Sequence, residues 1–281
     1  MLINSRSPPV RFVSNYILMQ KWQFIAGISL VMASCSPAKM AIDKNNWSNI
    51  EEYSVKGRQG ILINQKLSFG EYKTLSVKRS WTKGSSAFAG WTSGRPGYDE
   101  YSRIIGVEYS QKKQTVKFEL TDNTANESSA FCVTQVRSKD FVFGNNPNSL
   151  FNVSLDILGV AGSSDNLYWI RLYTKNENDP WEMILDNEAA QQNSKTYRGV
   201  ISQSRDRYYT LHPVFKMEKK DGSAGTMPFG SIGYEIRNKQ GKPLAAVSLI
   251  DNGVVYFNDL SSEEKFLMAN ICTAILLQQE I

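Results

Sequence analysis

The chain has 281 residues, a formal net charge of +5, and 41% hydrophobic, 11% aromatic and 21% charged residues, the composition of a folded protein and not of a disordered or collagen-like one. Three cysteines and one histidine rule out a disulfide framework and a His-rich metal site. Arg6, Arg11 and Lys21 precede Cys35 with no acid among them, leaving 29 basic and 27 acidic residues beyond it, a balance of +2 that argues against nucleic acid as a partner.

The first legible segment begins at Lys21, followed by the apolar run from Trp22 to Met32 and the small residues Ala33 and Ser34. A short basic region, about ten apolar residues and small residues before a cut describe a secretory signal, shorter than the ~20 apolar residues of a spanning helix. Met32-Ala33-Ser34-Cys35 resembles the lipobox of bacterial lipoproteins, with Met32 where Leu is more usual. The resemblance implies removal of residues 1–34, a diacylglyceryl group on Cys35 and anchoring to a cell-envelope membrane, which two or more acyl chains make stable. The alternatives are an ordinary signal peptide that contains a cysteine and an uncleaved inner-membrane anchor. Ser36, where some sorting systems read an acid as a retention mark, favours the outer membrane; which leaflet the domain faces is left open. Residues 1–18, with Pro8, Pro9 and two arginines, are unlike a signal, and Met19-Gln20-Lys21 is a sufficient start on its own.

Residues 35–49 read as a polar tether, with Pro37, Lys44, Asn45 and Asn46, and the domain is expected over 50–281. From Ile50 on, short alternating apolar and polar runs broken by Gly, Asn, Asp and Pro predict strands. They fall at 53–57, 60–65, 72–81, 103–110, 115–121, 129–137, 150–158, 167–174, 181–185, 196–202, 208–218, 230–237, 244–250 and 254–257, about twelve once the weakest are discounted. Asn238-Lys239-Gln240-Gly241 and Asp251-Asn252-Gly253 supply residues that tolerate positive φ, so the last three strands read as a meander. Two cysteines remain after Cys35, Cys132 and Cys272; either one bridge or two buried thiols fits them.

Ser261 and Glu264 have capping-box spacing and open a helix over 261–279. Phe266 to Leu277 is apolar apart from Asn270 and Thr273, and a helix hydrophobic on nearly all sides is buried on nearly all sides. With ~12 apolar residues it is too short to span a bilayer, so the strands must wrap it. A barrel of about eight strands is filled by its own side chains, whereas one of twelve needs a plug. The fold class expected is therefore all-β, a barrel of about twelve antiparallel strands with a buried C-terminal helix. A β-sandwich with one packed helix, or a half-barrel with the helix as a lid, are the alternatives. The stretch Tyr234 to Val247, Gly253 to Tyr256 and the final helix resembles the tubby C-terminal-like barrel, shared by tubby, plant LURP-one-related proteins and phospholipid scramblases. That resemblance implies a helix threading a twelve-stranded barrel and carries over no binding residue.

Chemistry is sparse. His212 stands alone beside Pro213, no Gly-x-Ser-x-Gly elbow is present, and Ser80-Trp81-Thr82-Lys83 has the Ser-x-x-Lys pattern at a strand end without its usual partner motifs. No catalytic residue, metal site or cofactor is expected. From Tyr53 to Lys83 seven basic residues, Lys56, Arg58, Lys66, Lys73, Lys78, Arg79 and Lys83, face the single acid Glu71, and a basic stretch close to a lipid anchor suits anionic headgroups. The segment 84–97 places Phe88, Trp91 and Arg95 among glycines and serines; its aromatics either cap one end of the barrel and seal its core or form a contact loop. Lys78, Arg79, Lys83, Phe88, Trp91 and Arg95 are thus the candidate surface-binding residues, with an anionic lipid or an envelope protein as partner. The functional expectation is a lipid-anchored, non-enzymatic binding or scaffolding module at a membrane surface. The alternatives are a carrier of a lipid or small apolar ligand, which requires the helix outside the barrel, and a hydrolase with an unrecognised site.

Overall fold

The computed structural model describes residues 38–58, 65–80, 115–136, 153–154, 157, 166–175, 177, 179–192, 199–219, 222–227 and 230–278. Lys39–Ile281 forms one compact unit and Met1–Ala38 another; the fold of the former follows.

Twelve strands form a single antiparallel sheet. In chain order they are β2 (Glu51–Ser54), β3 (Ser68–Phe69), β4 (Tyr72–Ser80), β5 (Thr115–Thr121), β6 (Glu127–Val136), β7 (Leu167–Thr174), β8 (Trp181–Asp186), β9 (Gly199–Ser202), β10 (Tyr208–Val214), β13 (Gly233–Arg237), β14 (Pro243–Ser248) and β15 (Val254–Phe257). Around the sheet the order is β2-β15-β14-β13-β10-β9-β8-β7-β6-β5-β4-β3. The two ends meet where Lys56, just beyond β2, exchanges backbone hydrogen bonds of 2.9 and 3.1 Å with Ser68 of β3. Gly57 follows at φ +80°, and a Cβ there would lie 1.9 Å from the Lys66 carbonyl oxygen, so only glycine lets the closing strands come this near. A separate three-stranded sheet, β1 (Lys39–Met40), β11 (Lys216–Glu218) and β12 (Ala224–Thr226), lies in the order β1-β11-β12. The short helix α1 (Asn187–Gln192) follows β8, and α2 (Ser262–Leu277) ends the described chain.

Alternation along the strands sends one set of side chains inward, where Val77, Phe118, Cys132, Ile170, Met183, Ile201, Ile236 and Val247 form one cluster with α2. Phe266 to Leu277 are all buried. The helix touches β14 and β15 on one side and β6 and β7 on the other; β14 and β6 stand third and ninth in the twelve-strand order, on opposite walls. It therefore runs along the barrel axis, as expected for a twelve-stranded wall whose lumen its own side chains cannot fill. A void of about 10 Å³ remains between the helix and β5–β9, lined by Phe118, Ile170, Met183, Asn270 and Ile271 among others, room for roughly one water.

Both helix ends are satisfied. At the start, the Ser261 hydroxyl accepts from the Glu264 N–H and the Glu264 carboxylate accepts from the Ser261 N–H. At the finish no basic residue lies in the last turn, and the orphan carbonyls take donors from elsewhere. Gln278 N–H donates to Ala274 and Ile275, Tyr168 Oη to Ala274, Arg58 Nε to Leu276 and Arg79 Nη2 to Leu277. Two arginines at a helix C-terminus also offset its partial negative charge. The polar stripe is internal: Asn270 Nδ2 donates to Phe266 O, Thr273 Oγ1 to Ala269 O, and Ser128 Oγ to Asn270 Oδ1.

Several expectations change. The expected tether is part of the fold from Lys39: Met40 and Trp47 are buried against Ala246 and Tyr256, and Trp47 Nε1 donates to Glu235. A strand was expected over 150–158, yet Val153, Ser154 and Ile157 are helical, and the expected strand 208–218 divides into β10 and β11 at Phe215. Cys132 and Cys272 are free and buried. Asn270, Ile271 and Ala274 line the void with Ala130 and Ile170, which flank the Cys132 position on the wall; Cys272, two residues before Ala274, lies ~200° round the helix from it, on the far side.

A basic outer face beside the amino-terminal segment

With the lumen occupied, the outer wall is what a partner meets, and it divides into sectors. Over β13–β15 the segment from Lys39 to Ile50 covers it. Along β6–β9 the outward residues Phe131, Val133, Trp169, Ile184 and Val200 are all 2% exposed or less, so this wall is covered as well. Helical Ser154 is part of the cover, its Oγ 2.8 Å from Ser202 Oγ.

Among the described residues the sector from β2 to β5 is the most open, although Thr115 and Thr121 at the ends of β5 are buried. Lys56, Lys66, Lys73 and Lys78 are exposed, one row formed by Lys56, Ser68 and Lys73 in register and a second by Lys78 opposite Lys117. Between the rows the register of β4 against β5 slips, Thr74 facing Leu120 and Ser76 facing Glu119. The extra residue of this bulge is Leu75, 44% exposed, the one large hydrophobic in the open among the described residues. Like charges directly opposite repel, and burial together with Lys78 pushes the half-buried Lys117 ammonium down to about 8. Of the sector's acids, Glu52 is paired with Lys39 at 3.0 Å, whereas Glu119, which accepts from Ser76 Oγ at 3.0 Å, and Glu71 keep exposed carboxylates.

This arrangement separates the candidate residues. Lys78 faces solvent, while Arg79, expected beside it at the surface, is 8% exposed because alternation turns it inward onto the end of α2. Its Nε and Nη1 have no hydrogen-bond partner among the described residues. Arg58 is likewise a structural clamp, holding Leu276, Leu249 and Asp251 carbonyls. Cys35, Lys83, Phe88, Trp91 and Arg95 lie outside the described residues. Leu75 and Lys117 were not singled out from the sequence: a bulge is a property of the strand pair, and an isolated Leu in an alternating run reads as core.

His212 is held neutral, since burial and the nearby Arg237 charge lower it to about 4; its Nε2 lies 3.1 Å from Thr210 Oγ1. Among the described residues no three His, Cys, Asp or Glu side chains gather as metal ligands would, and no helix is long and apolar enough to cross a membrane. No protein-family model, curated protein or solved structure matches the chain.

Proposed function

We propose that the protein is a lipid-anchored envelope lipoprotein acting as a non-enzymatic binding or scaffolding module at a membrane surface. The observation that carries this reading is a lumen filled by the chain's own helix, which leaves the outer wall as the working surface. Support comes from the Lys39–Glu52 contact, which brings the chain within four residues of Cys35 to the edge of the open basic sector. An acyl group on Cys35 would keep Lys39, and with it the β2 edge of that sector, near the bilayer, since four extended residues span at most about 14 Å. The segment 84–97, with Phe88, Trp91 and Arg95, remains part of the proposal as a second contact. Kinship with the tubby-type barrel belongs to it too, supported by the axial helix in a twelve-stranded wall.

The carrier alternative needs a cavity of lipid size, and the void beside α2 is far below the several hundred Å³ of a typical ligand pocket. Palmitate labelling in the native host tests the anchor: incorporation and membrane fractionation are expected for the wild type and both are lost in Cys35→Ser. Equal membrane association of Cys35→Ser would overturn the acyl anchor.

A further inference from the structure

We infer that the barrel docks side-on to an anionic phospholipid bilayer through the β2–β5 sector, with Leu75 entering the headgroup region between two rows of lysines. The inference rests on the proposed membrane reading and adds the face, the orientation and the lipid charge. Three observations converge on this sector. It is the most open part of the wall among the described residues, where β13–β15 and β6–β9 are covered. Its exposed charges are Lys56, Lys66, Lys73 and Lys78 against Glu71 and Glu119, with Glu52 paired to Lys39, a net positive balance that complements a negative surface. Its centre is a bulge that exposes a leucine. A leucine so displayed has no partner in the fold, and an apolar tip ringed by lysines whose stems are apolar suits an interface where tails begin below charged headgroups. The β9–β10 turn stands about half the sheet order away from β4 and serves as the distant reference.

The lysine pair supplies the specificity. Lys78 and Lys117 face each other in register and repel; a phosphate between or beside them relieves that repulsion, which a zwitterionic surface does less well.

The test uses the full acylated chain in vesicles, with a fluorophore attached at Leu75→Cys and, as a control, at Asp206→Cys in the β9–β10 turn. Cys132 and Cys272 are 0% exposed and stay unlabelled. In vesicles containing phosphatidylglycerol, the label at 75 should lose about twofold or more of its accessibility to a water-soluble quencher, the control none, and Lys73→Glu with Lys78→Glu should restore it while the protein still floats with the vesicles. A protein that floats with both labels equally exposed overturns the docking face and leaves the anchor standing. Equal protection at 75 in pure phosphatidylcholine overturns the anionic requirement. A protein that does not float overturns the membrane reading itself.

Discussion

His212 is opposite Glu235 across β10 and β13, that carboxylate accepts from Arg237 Nε and Trp47 Nε1, and burial and the Arg237 charge lower the imidazole. Its ordinary value is 6.5 and its folded value about 4. Between the two, the unfolded chain binds a proton that the folded chain does not, so stability falls as pH drops from about 6.5 toward 4 and is independent of this group above that window. Denaturant midpoints measured across the window should fall less steeply for His212→Gln than for the wild type. Parallel slopes would show that His212 titrates normally. Arg79 teaches a related lesson: one position along β4 separates a lysine in water from an arginine at the end of a buried helix, and a count of basic residues cannot distinguish them.

Among the elements, α2 was the most legible in the sequence, because a capping box, a twelve-residue run apolar but for Asn270 and Thr273, and a length below a bilayer span together point to one solution. The meander β13-β14-β15 was legible for a similar reason: Asp251 and Gly253 have positive φ, and Asn238 Oδ1 accepts from the Gln240 and Lys242 N–H groups, so local turn chemistry fixes the pairing. What closes the helix C-terminus was not legible. Arg58 and Arg79 lie 218 and 198 residues from their acceptors, and no periodicity encodes a contact of that range. The prediction at this scale concerns that cap. Arg58→Ala should destabilise the fold by about 1–3 kcal/mol, since it strips the Leu276 carbonyl of its donor in a buried setting, whereas Lys56→Gln, exposed two residues away, should stay within about 0.5 kcal/mol. Equal effects in chemical denaturation would remove Arg58 from the cap.

For the whole molecule, the strand number and the need for a plug followed from counting and geometry, while the three-stranded sheet β1-β11-β12 escaped notice. Its strands have two or three residues each, too few for alternation to register, and the polar run around Lys44 to Asn46 hid Met40 and Trp47, which pack on the wall. The same packing makes the open sector recognisable: next to covered walls, Lys66, Lys73, Lys78 and Leu75 present exposed side chains. Of the site, the basic stretch was legible as composition; its division into clamps and surface was not, because that depends on which side of the wall each position takes.

On the proposed function, a filled lumen confines the protein's work to its outer wall. Native mass spectrometry of the protein purified gently from its native host is the test. The account predicts the mass of the chain with its amino-terminal acyl groups and no further stoichiometric adduct. A bound lipid or apolar molecule retained at one per chain after delipidation of the anchor would contradict it, and would mean that α2 leaves the barrel to make room.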